Sequence, residues 1–188
     1  MKHSLVRNTI IETASNLFYQ KGYNLTGINE IIREAGIAKA TLYSHFKSKE
    51  DICLAYLEFK NTTFLQEIKS FTAKAPKGKK QIFALFGFLK LFFKDKDFNG
   101  CWCINTISEI PKDNEKIRAE IKKEKFQLIS FIEELVTNNF PKLPKKQVPI
   151  LAKKIYLLYE SAIAESHLHQ DSWAIDSAQE LCELVLPK

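Results

Sequence analysis

At 188 residues, with 45% hydrophobic and 27% charged residues, the chain has the make-up of a globular protein able to bury a substantial core. No run of about 18 apolar residues occurs, so no membrane span is expected, and the N-terminus lacks the apolar stretch and cleavage site of a secretory signal, so a cytoplasmic location is expected. The formal charge is +6, and residues 1–50 hold seven Lys or Arg against four acids, a local surplus that suits a polyanionic partner.

Glycine and proline are sparse at six each, and the apolar spacing is mostly three and four, which predicts an all-α chain of about nine helices. A first helix over residues 4–21 places Ile10, Ala14, Leu17 and Phe18 on one face and stops at Gly22. Thr26 is the expected N-cap of a short second helix through Ile28, Ile31 and Ile32 that ends at Gly36. A third short helix spans about 38–44. Ser48 is positioned to cap a fourth, with Asp51 as its reciprocal partner, and that helix is expected to run to about Ala73, before the break at Ala75-Pro76-Lys77-Gly78. Residues 81–93 are apolar on nearly every side and predict a central helix. Asn99-Gly100 makes a turn, and a short helix over 101–110 follows. A long amphipathic helix over 113–139, stopped by Pro141 and Pro144, precedes two closing helices over 146–169 and 172–186.

The stretch from Gly22 to Glu50 carries the functional signal. Two short helices are joined at Ala35-Gly36-Ile37, where glycine supplies the positive φ that redirects the chain. Ile28, Ile31, Ile37 and Leu42 are spaced to form a small core. The second of these helices then exposes Lys39, Ala40, Thr41, Ser44 and His45, short or polar groups suited to a major groove. Thr26, the Ala35-Gly36-Ile37 turn and Thr41-Leu42-Tyr43-x-His45-Phe46-x-x-Lys49-Glu50 resemble the signature of the TetR family of repressors over about 45 residues; Ala40 stands where many members have glycine. The resemblance implies an N-terminal three-helix helix-turn-helix domain at 1–48 and a helical effector-binding and dimerisation domain at 49–188. It also assigns Thr26, Tyr43, His45 and Lys49 to the DNA backbone and Lys39, Thr41 and Ser44 to base edges, with Leu42 and Phe46 as core.

In the remaining chain, Phe83, Phe86, Leu89, Phe93, Trp102 and Phe126 form an aromatic-rich set such as lines apolar ligand cavities, and Asn105, Glu109, Tyr156, Tyr159 and His167 are candidate polar anchors for a hydrophobic effector. Gly100-Cys101-x-x-x-Asn105-x-x-x-Glu109 resembles a pattern in one branch of the family, some members of which use a cysteine there to detect electrophiles or oxidants. Placed in a first helical turn, Cys101 would gain thiolate character from the dipole; the plainer expectation is a buried structural thiol. Cys101-x-Cys103 and His167-x-His169 have ligand chemistry for zinc, but residues two apart on a helix diverge, so no metal and no cofactor are expected. Cys53, Cys101, Cys103 and Cys182 are too scattered for a disulfide framework. The last two helices bear more apolar surface than one chain would cover, with small residues at 162, 164 and 178. The family resemblance implies a homodimer there, as would a palindromic double-stranded operator read by paired recognition helices.

No Ser-His-Asp spacing, phosphate-binding glycine loop or Cys-x-x-Cys is present, so no enzyme is expected. The expected function is a sequence-specific transcriptional regulator, a repressor released by a small hydrophobic or electrophilic effector. The alternatives are an effector-independent DNA-binding protein and a thiol-based redox sensor acting as activator.

Overall fold

The computed structural model describes the backbone of residues 2–187 and the side chains of residues 4–187. Among these there are nine α-helices and no strand: α1 (Lys2–Lys21), α2 (Ile28–Glu34), α3 (Lys39–His45), α4 (Lys49–Ala73), α5 (Lys79–Phe93), α6 (Trp102–Glu109), α7 (Glu115–Asn139), α8 (Val148–His169) and α9 (Trp173–Val185), with a single 3-10 turn at Lys145–Gln147 before α8. The helix periods and breakers read from the sequence account for this order.

Local chemistry sets the ends. Gly22 (φ 93°) closes α1, its N–H donating to Phe18 O at 3.0 Å. Gly36 (φ 63°) ends α2 with paired bonds, Gly36 N to Arg33 O and Ile37 N to Ile32 O, the arrangement that satisfies the last carbonyls of a helix. Ser48 Oγ accepts from Asp51 N at 3.1 Å and caps α4. Asn114 Oδ1 does the same for α7, accepting from Ile117 N at 3.0 Å.

Three expectations about local structure are corrected. Thr26 is not the N-cap of α2; Gly27 takes that position without a side-chain bond, while Thr26 is buried and donates its hydroxyl to Gly22 O at 2.8 Å, closing the α1–α2 loop. Cys101 precedes α6 rather than lying in its first turn. And α5 is not enclosed on all sides. Ile82, Leu85, Phe86, Phe88 and Leu89 are buried, but Leu91 is exposed while the neighbouring Phe92 and Phe93 are half-buried against Phe98, so one face of the last turn of α5 is open to solvent.

The chain forms two compact units. One comprises the chain through Thr63 with Trp102–Glu124; the other comprises Phe64–Cys101 with Lys125 onward, so α4 and α7 each contribute residues to both. The first is built around Ile10, Ala14, Phe18, Ile31, Leu42 and Phe46, all buried. In the second, α8 packs along α9 and both meet α5, with Leu151, Ala152, Ile155, Ile163, Ala174 and Ile175 buried between them. Lys90 of α5 pairs with Asp176 of α9.

Candidate DNA-reading head and effector groups

The reading head is formed by α1, α2 and α3. Its core holds Ile31, Leu42 and Phe46 fully or nearly fully buried, with Ile28 and Ile37 at its half-buried edge. The Arg7 guanidinium lies 5.1 Å from the centroid of the Phe46 ring. This core fixes which way α3 faces. Lys39, Ala40, Tyr43 and Ser44 are exposed, while Thr41 and His45 are half-buried at the margin. Ser44 Oγ donates to Thr41 O at 2.7 Å, so the hydroxyl retains lone pairs for a further donor. Lys39 is exposed and makes no ion pair among the described residues, leaving three donors directed at solvent.

Two of the residues assigned to phosphate sit in a different setting. Thr26 is 0% exposed, with its hydroxyl committed to Gly22. Lys49 is half-buried, its ammonium 4.3 Å from the centroid of the Tyr23 ring and 3.5 Å from Asn24 O. Loss of solvent there holds the Lys49 pKa below its ordinary value. Both therefore brace the α1–α2 loop.

Glu109 completes that brace. Its carboxylate accepts from Asn24 N at 2.7 Å, its backbone carbonyl accepts from Asn24 Nδ2 at 2.8 Å, and a Cβ on Gly22 would lie 2.5 Å from Glu109 Oε1. A residue read as a polar anchor for an effector is thus engaged with the loop that leads into α2. A second acid does similar work: Glu50 accepts from Asn114 Nδ2 at 3.0 Å and from Lys116 Nζ at 2.9 Å. No periodicity or spacing links Glu109 to Asn24, 85 residues away, so these roles carried no sequence signal.

The effector candidates divide between the units. Trp102, Asn105 and Glu109 belong to the first, where Trp102 Nε1 donates to the buried Glu124 carboxylate at 3.3 Å. Phe86, Leu89, Phe93, Cys101, Tyr156, Tyr159 and His167 belong to the second, with Phe126. There Tyr159 is fully buried 6.0 Å from Phe86, its hydroxyl without a hydrogen-bond partner, and burial pushes its pKa well above the ordinary phenol value. Phe93 and His167 both meet Phe98 edge-on, at 5.4 and 5.9 Å, and His167 Nδ1 is buried without a partner. Leu89 is buried and Tyr156 half-buried, but Phe126 is 62% exposed and joins none of these groups, since it lies on the solvent side of α7.

Cys101 is buried with its Sγ 3.1 Å from Lys125 Nζ, which also pairs with both Glu160 oxygens at 2.7 Å. Burial, and next the neighbouring Cys101, push the Glu160 carboxyl up to about 7, against the pull of Lys125. Lys125, Glu160, Glu124 and Phe98 were not singled out from sequence. On amphipathic helices such charged residues read as solvated positions until packing shows which are enclosed.

Residues 10–56 match the family described as bacterial regulatory proteins, tetR family. An uncharacterised HTH-type transcriptional regulator of Bacillus subtilis, YuxN, is 50% identical over 50 residues, 27% of this chain and 17% of that protein. The first curated relatives are matched over only about a third of their own length or less. Among solved structures, reduced NemR of Escherichia coli superposes with a TM-score of 0.86 at 18% identity, covering 97% of both chains. A transcriptional regulator from Streptomyces coelicolor gives 0.85 at 22% identity, covering 97% of this chain and 94% of the other. At such identities the structural likeness speaks for the fold, and the match to the family is confined to residues 10–56.

Proposed function

We propose that the chain, whose residues 10–56 match the tetR family of bacterial regulatory proteins, is a homodimeric, one-component repressor that reads a palindromic operator in double-stranded DNA through α3 and leaves it when a small effector binds the second unit. The observation that carries this reading is the outward row of α3. Lys39, Ala40, Tyr43 and Ser44 are exposed on a helix whose orientation is set by a buried Leu42 and Phe46 and by the Gly36 turn. Lys39 suits the O6 and N7 acceptors of guanine, the Thr41 methyl suits thymine, the Ser44 hydroxyl suits a base edge, and Tyr43 and His45 suit backbone oxygens. One recognition helix of seven residues offers few contacts, and two spaced by about one DNA turn supply the specificity. The functional division follows the notion of a head at 1–48 and an effector-binding and dimerisation part at 49–188.

The α8–α9 face supports the dimer. Leu157, Ala164, Leu168, Trp173, Leu181 and Leu184 are exposed there, a patch that fits a two-fold partner surface. Ala162 and Ala178, grouped with this face on sequence grounds, are instead buried within the chain, where their small size lets α8 and α9 approach. No helix is long and apolar enough to cross a membrane among the described residues.

For the effector, the partnerless Tyr159 hydroxyl and His167 Nδ1 beside Phe86, Phe93 and Phe98 support a largely apolar molecule carrying hydrogen-bonding groups. A ligand that prefers the non-DNA state by about 1–3 kcal/mol suffices for release. A second route rests on Cys101, whose Sγ lies 3.1 Å from Lys125 Nζ and is the thiol at which we place addition of an electrophile.

The test is selection of bound fragments from the source genome by purified protein at physiological salt, with and without an added electrophile. One palindromic site is expected, and its loss on treatment in wild type but not in Cys101→Ser identifies the thiol route. Absence of any preferred site refutes the repressor reading.

A further inference from the structure

The most concentrated positive charge in this chain lies outside the reading head. Residues 68–82 hold five lysines and residues 135–159 another five, and neither stretch contains an acid. Without those ten the formal charge of +6 would be −4. The second unit brings the two stretches together. Asn139, at the end of α7, accepts from Gly78 N through Oδ1 and donates through Nδ2 to Gln81 Oε1, both at 2.7 Å. The loop with Lys77, Lys79 and Lys80 is thereby tied to the end of the helix that leads into Lys142, Lys145 and Lys146. Among the described residues none of these six lysines is in an ion pair.

Within the second stretch a cavity of about 440 Å³ opens between the start of α8 and the end of α9. Leu143, Ile150, Leu151, Val185 and Pro187 make its apolar lining, and Lys154 and Gln147 supply its polar groups. Ile150 is 56% exposed, an uncovered apolar side chain beside unpaired lysines. Glu180 and Glu183 of α9 are exposed and form no ion pair among the described residues. None of the effector candidates lines this cavity.

We propose that this pocket is a second ligand site, which takes one molecule of an anionic single-chain amphiphile. The carboxylate head meets Lys154 and the Gln147 amide, and the apolar chain lies on Leu143, Ile150, Leu151 and Val185. Charge complementarity selects the occupant. An uncharged apolar ligand makes no use of the lysines, and a nucleic-acid backbone makes no use of an apolar cavity. The volume falls in the range of small-molecule sites, about 300–1,000 Å³, and the surrounding lysines raise the local concentration of anions and their rate of arrival. None of its lining residues belongs to the reading head or to the Tyr159 and His167 groups.

Calorimetric titration of the full chain with decanoate below its micelle concentration tests the proposal without DNA. Wild type should bind one decanoate per chain, more weakly as salt is raised, and at least about tenfold tighter than 1-decanol. Lys154→Glu and Ile150→Glu, each checked for wild-type helicity and oligomeric state, should each weaken decanoate by about tenfold or more. Four results overturn it: no binding, equal binding by both variants, binding only to phosphatidylglycerol vesicles, or conversion of the dimer to monomer by either variant, which would mean that a second copy covers the pocket.

Discussion

Replacing Gly22 by alanine tests the brace that holds the reading head. At φ 93° any Cβ meets the strain of the left-handed region, about 1–2 kcal/mol. The new methyl would also lie 2.5 Å from Glu109 Oε1 and 2.9 Å from Oε2. The obstructing atoms are the end of a flexible side chain, so the carboxylate swings away rather than the backbone yielding. That movement breaks the 2.7 Å bond from Asn24 N, a charge-assisted bond worth about 1.5–3 kcal/mol, taken at its lower end because the site is solvent-accessible. Together the two effects predict a loss of about 2–4 kcal/mol. In a chain of this length that corresponds to a melting temperature lower by about 5–15 °C at fixed protein concentration. The assay is thermal unfolding by circular dichroism for wild type, Gly22→Ala, Glu109→Ala and the double variant. Because Glu109→Ala already removes the bond and the obstruction, the double variant should fall short of the sum of the singles by about 1.5 kcal/mol or more. A Gly22→Ala protein that melts within about 1 °C of wild type, or strictly additive effects, would refute the contact and its energy.

Lys39→Ala should reduce discrimination between the operator and a site with the contacted guanine replaced, by about 1–3 kcal/mol, measured by competition binding at fixed salt. Lys49→Ala should lower the melting temperature as well as weaken DNA binding, since its ammonium braces Tyr23 and Asn24; a cation-π contact of this kind is worth about 0.5–2 kcal/mol. Glu160 binds its proton more tightly folded, with its pKa at about 7 rather than the ordinary 4.5. It therefore lowers stability progressively as pH rises from about 4.5 through 7, by about 3 kcal/mol at most. Glu160→Gln should flatten that part of the stability–pH curve, read by urea unfolding; an unchanged slope counts against the enclosed carboxyl. Leu168→Glu should shift the sedimentation of the protein from dimer toward monomer, because Leu168 is 71% exposed on the α8 face, and a variant that remains fully dimeric removes this residue from the interface.

The sequence by itself determined the helices and the head. Apolar residues at spacings of three and four, with Gly22, Gly36, Ser48 and the Ala75–Gly78 break, are local instructions, and local chemistry decides where a helix starts and stops. For the same reason the burial of Leu42 and Phe46 and the exposure of Lys39, Ala40 and Ser44 were legible in advance, whereas Thr41 and His45, expected on the same exposed face, are half-buried. Thr26 shows the limit: a hydroxyl at a helix entrance reads as a cap, yet only the packed loop shows it donating back to Gly22 O instead. Tertiary structure alone decided the long-range pairings. Glu109 with Asn24, Lys125 with Cys101 and Glu160, and Asn139 with Gly78 and Gln81 join positions 24 to 85 residues apart. It also decided that Phe126 faces solvent while Glu124, two residues earlier on the same helix, is buried. Amphipathic periodicity names the apolar stripe of a helix but not which neighbour will cover it. A charge pair closed by folding leaves no trace in the spacing of either partner along the chain.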